Sequence, residues 1–440
     1  MIEESEIATE RASNPMRRVL RVRDFRLLWI GQATSLLGDH FHFIAISWLV
    51  LQLTNDPLAL GTVLALGGIP RAIFTLVGGA ITDRFNPRTV MLLSDIARLA
   101  LTLVMALLVL IGAMHTWMFY VFALIFGVVS GFFMPASMAI LPMLTPARDL
   151  QGGNALVQGT SQLVSFAGPM LAGGVIAWFA HAGQSGAGSA QLGVGVALLL
   201  DAATFAVSVL TLWLIRTRPV SRAADATSAQ AVWQSIREGL RYAWEHPTLR
   251  PLLVLLAAMN LLIAGPLVVG VPVLANQRLA EGAAAFGIIM GAYAGGNLLG
   301  IVVAGMVRTT RATGLLVILF VVFFGAGMIA MSLITTTWAG ATIMAALGLG
   351  NGYLSIRMIT YLQRRTPPAL LGRIMSLILF ANVGLAPLSQ ALSGALSRYS
   401  VNALFVGAGV AMWGVAAWLA MQPFVRTLDR EMEGTDVVQA

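Results

Sequence analysis

The chain has 440 residues, of which 58% are hydrophobic and only 10% charged, and its mean hydropathy is +0.83; soluble domains carry roughly 25% charged residues, so this one belongs in lipid. The formal net charge of +8 rests on arginine alone, with no lysine, and the arginines stand in short runs between apolar segments, which describes membrane topology and excludes a nucleic-acid partner. The chain has no cysteine, so disulfides, thiolate metal sites and cysteine nucleophiles are excluded.

Residues 1–24 lack the apolar core and small-residue cleavage site of a secretory signal and read as a cytoplasmic tail. A hydrocarbon core of about 30 Å needs roughly 20 apolar residues per helix. Stretches of that length, in chain order, cover 25–53, 58–81, 89–111, 116–144, 150–178, 192–215, 250–277, 282–307, 313–334, 338–362, 370–397 and 401–422. The expectation is an all-α membrane protein of twelve transmembrane helices in two six-helix halves, 25–215 and 250–422, followed by a short polar tail, 423–440. Between the halves, 216–249 is a linker in which the run WQSIREGLRYAWEH places apolar residues every three or four positions, predicting an amphipathic helix on the inner membrane surface.

Charge orients the spans. Arg17, Arg18, Arg21, Arg23 and Arg26 open the first one, and Arg84, Arg88, Arg148, Arg308, Arg311, Arg364, Arg365, Arg426 and Arg430 fall in the connections on that side, while the other side carries chiefly Arg278 and Arg398. Positive-inside asymmetry predicts that both termini are cytoplasmic. The halves also resemble each other. At an offset of 221 residues Gly127, Gly131, Thr145 and Pro146 fall on Gly348, Gly352, Thr366 and Pro367, and at 226 Gly61 and Gly79 fall on Gly287 and Gly305. A parallel repeat of six helices is the pattern expected of alternating-access transporters.

Ionisable groups near mid-bilayer each cost roughly 2.5–3.5 kcal/mol on insertion scales, so each needs a partner or a wet cavity. Asp39 lies about 21 Å from the inner end of the first span and Arg71 about 18 Å from the inner end of the second, at 1.5 Å per residue, which puts opposite charges at similar heights on adjacent helices. Two readings stand: a permanent ion pair, or a proton or substrate-cation site at Asp39 that Arg71 tunes. His42 shares a helical face with Asp39 and is a candidate proton carrier, or else structural; His40 points about 100° away. Asp95 and Arg98, three apart on the third span, suit a structural pair or a part of the inner gate. Asp201 in the sixth span has no evident local partner. Gln32, Gln162 and Asn260 are neutral polar groups suited either to a cavity wall or to helix contacts. The chain has no nucleotide-binding loop and no metal-ligand spacing, so no cofactor and no metal site is expected.

The connection Gly79-Ala-Ile-Thr-Asp83-Arg84-Phe-Asn86-Pro87-Arg88 resembles the signature loop of the major facilitator superfamily between its second and third helices. Locally, Gly79 permits close helix approach, Asp83 suits a neighbouring helix N-terminus and the arginines suit the inner surface. The resemblance implies an inner-gate latch made by Gly79, Asp83, Arg84 and Arg88. Asn86 and Pro87 depart from the pattern, and the fourth span holds no acid to complete the family's charge relay. Gly159 and the run Gly168-Pro169-Met-Leu-Ala-Gly173-Gly174 resemble the fifth-helix motif of members that export by antiport, although plain glycine-rich packing reads nearly as well. Asp24 to Asp39 and the segment at Arg373 look like the drug/proton antiporter branch typified by macrolide-efflux and enterobactin-export proteins.

That resemblance implies a non-enzymatic exporter in the bacterial cytoplasmic membrane, exchanging protons for small amphipathic substrates such as drugs, macrolide-like antibiotics or siderophores, with the lipid bilayer as its other partner and no required oligomer. A lysophospholipid flippase is the alternative on similar scaffolds. A nutrient importer fits less well, and a receptor or scaffold has no use for mid-membrane charge.

Overall fold

The computed structural model describes residues 15–82, 85–182, 187–216, 241, 249–307, 313–365 and 384–422. Asp83 and Arg84, the tail beyond 422, Arg308, Arg311, Arg373, the first half of the eleventh predicted span and nearly all of the predicted linker helix lie outside the described residues.

The described structure is all-helical, and eleven of its helices are long and apolar enough to cross a membrane. In chain order the described α-helices are α1 Pro15–Arg21, α2 Arg23–Thr54, α3 Pro57–Thr82, α4 Pro87–Leu110, α5 Thr116–Leu144, α6 Leu150–Ala182, α7 Ala187–Leu214, α8 Leu249–Gly265, α9 Val271–Arg278, α10 Ala283–Met306, α11 Thr313–Met331, α12 Thr337–Arg365, α13 Ala386–Tyr399 and α14 Val401–Met421. A π-helical turn, Pro266–Gly270, joins α8 to α9, so that Leu253–Arg278 serves as one span. Proline explains the turn, because it withdraws one backbone donor and crowds the carbonyl four residues back.

Helix ends follow from local chemistry. The Asn86 side chain accepts a 3.0 Å hydrogen bond from the Arg88 amide, and Pro87 occupies the first turn of α4. The two residues that depart from the superfamily loop therefore start this helix, one as N-cap and one as pre-set first residue. The Arg88 guanidinium donates to the carbonyls of Leu212 and Trp213, both at 2.7 Å, and so caps the negative end of α7. The predicted N-terminal tail is helical from residue 15: Arg18 pairs with Asp149 at 2.7 Å, and a side chain at Gly152 would collide with the backbone of Pro15, so α1 sits on the start of α6. At the other end of α2, Asn55 adopts a left-handed φ of 48° and its amide caps Leu51.

The repeated glycines do equivalent work in both places. Gly127 and Gly131 of α5 abut the backbone of α3 at Gly67 and at Arg71 and Phe74, and their counterparts Gly348 and Gly352 of α12 abut that of α10 at Tyr293 and Asn297. Gly61 of α3 meets Gly394 of α13, while its counterpart Gly287 of α10 meets Pro169 and Gly173 of α6. These last two seams, α3 on α13 and α6 on α10, join residues before 216 to residues after 249. Small residues at such seams let backbones touch, which is how helices associate where lipid removes most of the hydrophobic drive.

Large apolar side chains cover the outer faces, among them Leu93, Leu107, Leu210 and Leu333. Trp117, Trp178 and Trp338 are exposed at one end of the bundle and Trp213 at the other, as expected of aromatic residues at membrane–water interfaces.

Candidate functional site

A cavity of about 530 Å³ lies at the centre of the bundle, inside the range of roughly 300–1,000 Å³ found for small-molecule sites. Each wall is one face of a helix. On α2 it is Leu36, Asp39, Phe43 and Ile46; on α4, Arg98, Leu101 and Met105; on α5, Phe119, Phe122, Phe126 and Ser130. The spacing of three and four is that of a single helical stripe. Across from them α10 contributes Met290 and Tyr293, α6 Ser165 and Pro169, and α13 Gln390. The surface is thus aromatic and aliphatic with a few polar groups.

Asp39 and Arg71 both line this cavity. They do not form a salt bridge within 4.0 Å among the described residues, so the permanent ion pair allowed by the sequence is not what holds α2 to α3. Arg71 is exposed in the cavity and Asp39 partly so. Gly67 and Gly68 precede Arg71 by one turn, and Gly68 lies against Pro387 of α13.

His42 also lines the cavity, but its partner is Asp201: Nδ1 stands 3.1 Å from Asp201 Oδ2. This supplies the partner that neighbouring sequence did not. Its ring stacks on Phe126 with centroids 4.3 Å apart. Asp201 is fully buried and does not itself line the cavity, but His42, which touches it, does. His40 packs against Gly168 of α6, giving that glycine a definite task. Gly173 makes the contact with α10 described above, while Gly159 and Gly174 face open space.

Asp95 and Arg98 form the pair expected from their spacing, at 3.6 Å. Both are buried; Ser208 of α7 donates a 2.6 Å hydrogen bond to Asp95, and the Arg98 guanidinium sits 4.3 Å from the Phe133 ring centre. Arg98 lies about 16 Å along α4 from its start at 1.5 Å per residue, which puts the pair beside the cavity. Gln32, Gln162 and Asn260 do not line it; Asn260 donates to the Leu256 carbonyl of its own helix at 3.0 Å. The aromatic wall was not singled out in the sequence, although the three-and-four spacing of Phe119, Phe122 and Phe126 is a signal that marks it.

The bundle closes over one end of the cavity. There Gln52 donates to Asn276 at 3.0 Å, Arg398 approaches Asp56 at 3.8 Å, Gly61 meets Gly394 and Gly282 lies against Trp48. Every one of these joins a residue before 216 to one after 249. At the opposite end Gly305 faces open space.

A membrane bundle with a central cavity closed over at one end by contacts between its two parts suits a carrier. A sequence profile of the Major Facilitator Superfamily matches residues 28–389, and the chain belongs to that family; it is a multi-pass membrane transporter. The chain is 24% identical to the multidrug efflux pump Tap of Mycolicibacterium fortuitum, over 92% of this chain and 96% of that protein. It is 22% identical to macrolide efflux protein A of Streptococcus pyogenes, over 92% and 97%. Among solved structures, the peptide transporter POT in complex with sulfate superposes with a TM-score of 0.66 at 15% identity, covering 94% of this chain and 99% of that one, which shows the fold.

Proposed function

We propose that this transporter exports amphipathic small molecules in exchange for protons, by alternating access between two six-helix halves, with its termini in the bacterial cytoplasm. The observation that carries the reading is Asp39 facing the same aromatic-walled cavity as Arg71 without being locked to it. A carboxylate in such a place exchanges a proton for a substrate or for the approach of the guanidinium, and the two occupancies compete. The apolar wall suits the body of an amphipathic molecule and the few polar groups orient it. Relatives named for multidrug and macrolide efflux support the direction and the substrate class.

In this reading the end held shut by the Gln52–Asn276 and Asp56–Arg398 contacts is the outer one. Residues Gly79, Asp83, Arg84 and Arg88 act on the inner end as the latch of the opposite state.

The test is accumulation of a panel of fluorescent amphipathic dyes in cells expressing wild type or Asp39→Asn at matched membrane levels, with and without a protonophore. Lower accumulation with wild type, abolished by the protonophore and by Asp39→Asn, is expected. If no dye responds to wild type, export of this substrate class is refuted, and lysophospholipid flipping is the next assay.

A further inference from the structure

Among the described helices before residue 216, the charges that stand well within the membrane do not sum to zero: three acids, Asp39, Asp95 and Asp201, stand against two arginines, Arg71 and Arg98. Arg71 and Asp39 share the open cavity and offset one another across it; Arg98 and Asp95 are joined at 3.6 Å. Asp201 is left over. It is fully buried, and the group that touches its carboxylate is His42, which is uncharged unless it takes up a proton.

The surroundings of Asp201 are those of a carboxylate built to be neutralised and not solvated. Its Oδ1 has no hydrogen-bond partner among the described residues, and the space before it is kept clear of side chain by Gly38, where a Cβ would run into that oxygen and into Thr204. An uncompensated buried charge costs several kcal/mol even after relaxation. One proton removes that cost, wherever on the hydrogen bond it resides. His42 connects the buried carboxylate to the cavity that it lines, with its ring held flat against Phe126.

We propose that His42 and Asp201 form a proton-binding dyad between α2 and α7, separate from Asp39, that takes one proton from cavity water and carries it while the carrier is loaded. A hydronium ion gives its proton to Nε2 of His42 and leaves as water. The Nδ1 proton then stays on the imidazolium facing Asp201 or crosses to Oδ2, and in either form the dyad goes from net −1 to neutral. Release reverses this to water when the cavity faces the other side. Other ionisable groups near the dyad are Asp39 and His40 on α2, Arg71 on α3, Asp95 and Arg98 on α4 and Tyr293 on α10; α6 brings no charged residue to this level. Of the two nearest cations, Arg98 already serves Asp95, so the proton is the remaining source of positive charge for Asp201.

The inference rests on the transport reading for its purpose only, because proton occupancy is a property of the protein without substrate. The experiment is proton uptake by the purified full chain in weakly buffered detergent, read with a pH-indicator dye across a step from about pH 8 to pH 5, the range in which histidine titrates. The double variant His42→Gln, Asp201→Asn has neither proton acceptor, so uptake falls by about one proton per molecule. His42→Gln alone keeps a donor for Asp201 but forces the proton onto the carboxyl, so the midpoint of the step moves to lower pH. Equal uptake in wild type and the double variant overturns the proposal, as does a midpoint unmoved in His42→Gln; the single variant decides alone if the double one fails to fold. Asp39→Asn is titrated in parallel. If it removes the proton while the double variant does not, Asp39 is the coupling site and the dyad is a structural hydrogen bond.

Discussion

The helices before Arg216 and those after Leu249 pack alike but carry different chemistry. Before Arg216, α2, α3, α4 and α7 place Asp39, Arg71, Asp95, Arg98 and Asp201 inside the membrane. After Leu249, no acid stands in the middle of a described span: α10, α11 and α14 contain no charged residue, α12 carries Arg357 about two turns from its end, where it donates to the Tyr353 hydroxyl, and the α10–α12 seam is drawn in by Gly296, Gly300, Gly348 and Gly352, each against a backbone carbonyl of the facing helix. Charge in lipid is costly and glycine seams are not. One region therefore holds the groups that can exchange ions, and the other supplies a close-packed body against which the first can move.

The comparison breaks most readily at its most buried points. Asp95→Ala removes the partner of a buried arginine and a Ser208 hydrogen bond together, so a loss of about 3–5 kcal/mol is expected, read as a lower unfolding temperature in detergent. Gly348→Leu tests the uncharged side: the new side chain runs into the Tyr293 carbonyl, and overpacking of this kind costs about 1–3 kcal/mol or more, seen as a reduced monodisperse fraction after solubilisation. Gly127→Leu, at the counterpart position, is expected to do the same, and a large difference between the two would separate the two regions mechanically. Asp83→Ala is expected to lower dye transport while leaving insertion intact; undiminished transport removes the latch from the account. The smallest effect belongs to Asp56→Asn, whose pairing with Arg398 at 3.8 Å is solvent-exposed, and a stability change within about 1 kcal/mol is expected.

Most of the fold was legible because lipid imposes a length rule. The span predicted at 116–144 is α5 Thr116–Leu144; outside the eleventh span, predicted from 370 and described as a helix from Ala386, the largest shift of a described span is the α7 start at Ala187 against 192. The Arg71 and Asp39 cavity positions were legible as charges at matched depth. The partnership of His42 with Asp201 was not, since 159 residues separate them and helix rotation about its axis is set by packing. The seating of Gln162 and Asn260 away from the cavity escaped for the same reason. The first residues read as a plain tail because α1 is only seven residues long, too short for periodicity to speak; its place depends on Asp149.

The cavity, shut at one end by contacts between the two regions, must open there for transport. The absence of native cysteine makes the most direct measurement clean: Gln52→Cys with Asn276→Cys, replacing the pair that now meets at 3.0 Å, cross-linked in membranes and assayed for dye export before and after reduction. Export lost on cross-linking and restored by reductant is the predicted result. Full cross-linking with undiminished export would contradict the account.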